Sequence, residues 1–259
     1  MSLIVLLAFK DFTVICSDGL TVRVENGVLV PTSQEMCKYW TVGNGDIAMG
    51  VTGSGLMFVL ISNFSYKLAE QHRDNPELFS VLEKAVPDEL RRLNKLFPTD
   101  HEYFDGTESV NLGGTNFLLT GYDASQQKMR SIFWGHESIK GDLTPRDCAG
   151  RIMAIGSGKG GVFVTEKLDV DDCFGPLDVA ETTKSIIQQA SAAFPNSVGR
   201  TTYSHVISIP GLKDIIPPKI SGTSHPWLQA KIMVNFKTRT LFWNSPSDSV
   251  NSEHEGIRF

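Results

Sequence analysis

Ser2, Asp18 and Lys38 place a hydroxyl, a carboxylate and an ammonium near the start of this chain, each on a face that is otherwise apolar. With the period-two alternation of strands, Ser2, Ile4, Leu6 and Ala8 share one face. Phe12, Val14, Cys16 and Asp18 share a second, and Met36, Lys38, Trp40 and Val42 a third. A carboxylate and an ammonium on such faces are costly unless they meet. The cheapest arrangement brings them together beside the amino terminus, with Lys38 within ion-pair reach of Asp18 and facing Ser2. A serine hydroxyl is a poor nucleophile until a base stands within hydrogen-bond reach. The three residues therefore read as a candidate site for nucleophilic catalysis.

The elements that must position them follow from the hydrophobic pattern. Four strands are expected at Leu3–Phe9, Phe12–Ser17, Met36–Val42 and Asp46–Thr52, the first two joined by a tight hairpin through Lys10-Asp11. Gly53-Ser54-Gly55 then breaks the strand pattern. Leu56, Val59, Leu60, Phe64 and Leu68 recur at helical spacing to about Gln71, and a second helix is expected from Pro76 to Leu96. Met57 and Phe58 fall on the outer side of the first helix, an apolar surplus that points to self-assembly. Residues 97–114 read as loop.

Strands resume at Asn116–Tyr122, Arg130–Trp134 and Arg151–Ile155, followed by helices at Val162–Leu168 and Leu177–Phe194. Strands at Tyr203–Ile209, Ala230–Phe236 and Thr240–Trp243 close the pattern, with a Pro/Gly-rich loop at Pro210–Pro226 and a polar tail from 245 to 259 that is expected to fray. No internal repeat or linker divides the chain, so residues 1–259 read as one domain. Strands, two helices, strands, two helices and strands form segregated blocks. That order predicts an α+β fold with two antiparallel sheets stacked face to face and helices on both outer faces.

Composition narrows the function classes. The chain has 259 residues, 41% of them hydrophobic and 20% charged, and a net charge of −5, an ordinary globular balance with no footprint for nucleic acid or an anionic membrane. The apolar run after Ser2 is short and meets Lys10-Asp11, which fits neither a signal peptide nor a membrane span. Cys16, Cys37, Cys148 and Cys173 are scattered without a CxxC, so reduced thiols and a cytoplasmic location are expected. The histidines show no zinc-ligand spacing, and neither metal nor cofactor is expected.

Several segments together resemble the proteasome-type N-terminal nucleophile hydrolases, the group that includes proteasome β-subunits and their bacterial relatives. SLIVLLAFKDFTVICSDG resembles the opening hairpin of that family, with Ser2 at the position of the nucleophilic Thr and Asp18 at that of an acidic residue. CKYWTVGNGDIAMGVTGSG is similar to the segment that carries the active-site Lys and the oxyanion-hole Gly, which gives those roles to Lys38 and Gly50. NFLLTGYDASQQKMRSIFWG is similar to the mid-domain hairpin. MAIGSGKGGVFV is similar to the Gly-Ser-Gly turn before the third helix, which places Ser157 and Gly158 near the site. The likeness covers residues 2–75 and 115–210. The chain departs from the family at the nucleophile, at Leu20 where an Arg is usual, and at Pro195-Asn196-Ser197, where a second acidic residue would fall.

The resemblance implies a four-layer αββα sandwich and a cofactor-free peptidase or amidase working from Ser2 after removal of Met1. The freed α-amine, with a reference pKa of roughly 7.7–8.0, would accept the hydroxyl proton. Lys38 and Asp18 would tune both groups, the Gly50 N–H would stabilise the oxyanion, and Asn196 and Ser197 would support the site from behind. The partners implied are a peptide or amide substrate and further copies of the chain in a ring, with room for an unfoldase. A catalytically silent subunit that keeps the fold for ring assembly is the alternative. A third reading takes Gly156-x-Gly158-x-x-Gly161 as a dinucleotide loop, which requires a parallel sheet around Arg151–Ile155.

Overall fold

The computed structural model describes residues 3–26, 28–96, 102–104, 109–111, 115–136, 139, 144–156, 158–213, 231–235, 240–244 and 257–258. They fall in two compact units, Met1–Lys219 and Ile220–Phe259.

The larger unit is built on two antiparallel sheets. In the first, β1 (Leu3–Ala8) lies between β2 (Phe12–Asp18) and β12 (Ile152–Gly156), and β2 also pairs with β13 (Thr202–Ser208). In the second the order is β11 (Arg146–Asp147), β10 (Lys128–Trp134), β9 (Asn116–Asp123), β6 (Ile47–Thr52) and β5 (Tyr39–Val42). The expected hairpin between β1 and β2 closes on the Phe9 N–H to Phe12 carbonyl bond at 2.9 Å, with the two rings stacked 4.5 Å apart. The β12 strand pairs antiparallel with β1, Leu3 opposite Gly156. The parallel sheet that the dinucleotide reading requires is therefore not formed there.

Alternation along β1 sorts its side chains between two cores, because successive residues of a strand face opposite ways. Ile4, Leu6 and Ala8 pack with Ile15, Tyr39, Ala48, Leu118 and Ile207, joining the two sheets. Leu3, Val5 and Leu7 pack with Val14 and Cys16 against α3 (Gly158–Lys167) and α4 (Pro176–Ala193), through Val164, Val179, Ile187 and Ala190. On the second sheet Trp40, Met49, Val51, Phe117 and Leu119 pack against α1 (Gly55–Gln71) and α2 (Leu78–Leu96). The class is α+β, as the segregated blocks predict.

Several expectations are corrected. Met57 and Phe58 are 0% and 4% exposed and belong to the core under α1, so they supply no outer apolar face. The chain between the second and third expected strands, unassigned from the sequence, carries two further strands. It forms β3 (Leu20–Glu25) and β4 (Val28–Glu35), which with β7 (Glu102–Phe104) and β8 (Ser109–Asn111) make a further sheet. The expected strand Met36–Val42 starts only at Tyr39, and helix α3 begins at Gly158, earlier than Val162. Pro210–Lys213 forms a helical turn, α5, and the rest of the expected loop, 214–226, lies outside the described residues. In the smaller unit β14 (Lys231–Asn235), β15 (Thr240–Asn244) and β16 (Ile257–Arg258) pair antiparallel, so the tail expected to fray contributes a strand. Among the described residues no helix is long and apolar enough to cross a membrane.

Candidate active site

Asp18 ends β2 directly across from the start of β1, and its carboxylate is 0% exposed. Three backbone amides converge on it. Leu3 N–H donates to Oδ1 at 2.8 Å, Gly199 N–H to Oδ2 at 2.8 Å, and Leu20 N–H to Oδ2 at 3.2 Å. These are charge-assisted bonds that a buried carboxylate needs if it is to remain ionised.

Lys38 is 2% exposed and stands at the bend that precedes β5. Its own N–H donates to Ser17 Oγ at 3.2 Å, and its Nζ donates to the Leu20 carbonyl at 2.6 Å. The expected direct ion pair is thus replaced by a relay through Leu20, whose N–H bonds Asp18 and whose carbonyl bonds Lys38. Asp18 is already occupied by three amides, and the Lys38 Nζ takes the Leu20 carbonyl instead.

The two charges still act on each other. Burial lowers the Lys38 ammonium below its ordinary pKa, and the Asp18 charge opposes that fall. Burial raises the Asp18 carboxyl above its ordinary range, against the pull of Lys38 and of the three amides. Both shifts have the same cause, desolvation of a charge in a core that excludes water. Cys37, between Ser17 and Tyr39, is also buried and its thiol is pushed up to about 11, so it is held as an inert thiol. Cys16, Cys37, Cys148 and Cys173 are all free.

Gly50 is buried in β6, opposite Tyr39 on one side and Leu118 on the other. Val51 N–H donates to the Lys38 carbonyl at 3.4 Å, which makes Lys38 and Val51 a bonded pair across the ladder. Alternation then turns the Gly50 N–H toward Leu118, inside the sheet. The geometry gives Gly50 a packing role. A Cβ there would stand 2.9 Å from Ile4 Cδ1, so the glycine lets β1 settle onto the second sheet beside the Asp18–Lys38 region.

Ser2 and Ser157 lie outside the described residues. Ser2 adjoins Leu3, the residue whose amide Asp18 holds, and Ser157 follows Gly156, the residue opposite Leu3. Gly158 opens α3 and is exposed. Asn196 is exposed on the turn after α4, and Ser197 is half-buried there, its N–H bonded to the Phe194 carbonyl at 3.0 Å. The residue of that turn that reaches Asp18 is Gly199. Leu3, Leu20 and Gly199 act through backbone groups, which their side-chain types do not announce. The one available signal was a glycine standing just before a strand.

Among the described residues no group of His, Cys, Asp and Glu side chains is placed to hold a metal ion. No family model matches the chain, and no curated protein does.

Proposed function

We propose that this chain is a proteasome-type N-terminal nucleophile hydrolase, a peptidase or amidase that works from Ser2 once Met1 is removed. The observation that carries the reading is the 2.8 Å bond from the Leu3 amide to Asp18 Oδ1, which anchors the residue next to Ser2 at a buried carboxylate coupled to a buried lysine. The packing order supports it as well. One helix pair covers each sheet and a third core joins the sheets, which is consistent with the four-layer αββα sandwich of that family.

In this account the Ser2 hydroxyl attacks the substrate carbonyl and its proton passes to the freed α-amine, which hands it to the leaving amine as the amide C–N bond breaks; water then hydrolyses the ester on Ser2 and restores the hydroxyl. Lys38, fixed by the Leu20 carbonyl and with its pKa lowered by burial, supplies the nitrogen that tunes the serine and the amine beside it. Asp18 holds the strand start and the sign of the local field. Gly50 spaces the sheets. The working form is a ring of copies, which light scattering would report as a mass several times that of the monomer; a monomeric mass would remove the assembly from the proposal.

The test is hydrolysis of a fluorogenic peptide library by the wild type, Ser2→Ala and Lys38→Met. Cleavage by the wild type that both substitutions abolish supports the reading. A folded wild type with Ser2 at its N-terminus that cleaves nothing supports the silent, ring-forming alternative instead. The departure at Asn196, where the family has an acidic residue, favours that second reading.

A further inference from the structure

We propose that Gly199 is a positioning residue: its backbone, wedged against Leu20, sets where the Leu20 carbonyl holds Lys38. The inference rests on the reading above only for the importance of Lys38.

Three contacts make the wedge. Gly199 N–H and Leu20 N–H share the same Asp18 oxygen, at 2.8 Å and 3.2 Å, which draws the two backbones together at Oδ2. They come so close that a Cβ at position 199 would lie 2.4 Å from Leu20 N and 3.0 Å from Leu20 Cα. The carbonyl of the same Leu20 receives Lys38 Nζ at 2.6 Å. A displacement of Leu20 therefore moves the acceptor of the ammonium.

Gly199 cannot give way in its place. Val198, one residue earlier, is 1% exposed and packed in the core between β2 and α4. The turn before it is tied to the helix end by Ser197 N–H and Val198 N–H, both donating to the Phe194 carbonyl, at 3.0 Å and 2.9 Å. On the other side, β13 begins at Thr202, opposite Asp18. An added methyl group would thus push Leu20 by about 1 Å to restore an ordinary contact of roughly 3.5 Å. The end of α4 is coupled in this way to the lysine of a different sheet, through one glycine and one carboxylate oxygen.

The experiment follows the Lys38 ε-CH₂ resonance through a pH titration of ¹³C-lysine-labelled protein, in the wild type, Gly199→Ala and Asn196→Ala. The expected result is a Lys38 midpoint displaced by about half a unit or more in Gly199→Ala and unchanged in Asn196→Ala, whose side chain is exposed on the same turn. A glycine needed only for stability would lower the melting temperature and leave the midpoint where it was, and that result in a folded Gly199→Ala protein overturns the proposal. If Gly199→Ala does not fold, Val198→Ala carries the same readout, because it keeps the glycine and cuts its buried anchor; an unmoved midpoint there is again decisive against it. The readout needs no activity, so a displaced Lys38 in a protein that cleaves nothing sinks the hydrolase reading and leaves the wedge standing.

Discussion

Leu20 serves Asp18 and Lys38 at once, giving its N–H to the carboxylate at 3.2 Å and its carbonyl to the ammonium at 2.6 Å. The two peptide groups that flank the Leu20 Cα, one bonded to each buried charge, replace the direct contact, and each charge remains solvated by backbone. Such an arrangement keeps both residues ionisable inside a core, where an unpaired charge costs several kcal/mol.

Asp18→Asn should destabilise the protein by about 1–3 kcal/mol at neutral pH. The carboxylate accepts amides on both oxygens, whereas a carboxamide offers one acceptor and turns an N–H₂ toward at least one of Leu3, Leu20 and Gly199. Urea unfolding monitored by fluorescence measures the loss, and an unchanged midpoint would mean that these amides are satisfied in some other way.

Lys38→Met should leave a folded protein and remove hydrolysis. Methionine nearly keeps the volume and removes a desolvated charge, so the main structural cost is the orphaned Leu20 carbonyl, about 1–3 kcal/mol. Circular dichroism and the peptide assay read the two effects separately, and residual cleavage at the wild-type rate would take Lys38 out of the mechanism.

The pH dependence of that comparison has a definite sign. Lys38 has a folded pKa below its unfolded value, so its contribution to stability is present above the ordinary lysine value of about 10.4 and is lost as pH falls through the folded value. The stability of the wild type relative to Lys38→Met should therefore decline from alkaline toward neutral pH. Asp18, raised by burial, runs the other way: its contribution is present below the ordinary carboxylate range and fades as pH rises through the folded value. Denaturation midpoints across a pH series would show both slopes, and a flat difference for Lys38→Met would contradict a depressed lysine.

The open hairpin, both α1 and α2, the central strands and the α+β class were legible because their apolar residues repeat cleanly at period two or 3.6. The β3–β4 pair is hard to read because Leu20–Glu35 mixes charged residues and Pro31 into its strands, which blurs the alternation, although Asn26-Gly27 between them is a hairpin signal. Asp18 and Lys38 could be singled out because charge on an apolar face is costly. The amides that satisfy Asp18 belong to Leu3, Leu20 and Gly199, residues whose side chains announce nothing.

Gly50→Ala should cost about 1–3 kcal/mol through overpacking, since its Cβ meets Ile4 Cδ1 at 2.9 Å. Ile4→Val removes that methyl group, so the double variant should recover part of the loss. A double-mutant cycle with no coupling would place the sheet-to-sheet contact elsewhere.

The account turns on the chemical state of Ser2, and adduct mapping with a peptide epoxyketone examines it most directly, because that warhead requires both a hydroxyl and a free α-amine on one residue. Untagged protein, incubated with the reagent, digested and read by mass spectrometry, should show an N-terminal peptide that begins at Ser2 and carries the inhibitor, with no adduct in Ser2→Ala. An N-terminal peptide that begins at Ser2 and remains unmodified at saturating reagent, or one that retains Met1, would contradict a serine nucleophile at this site.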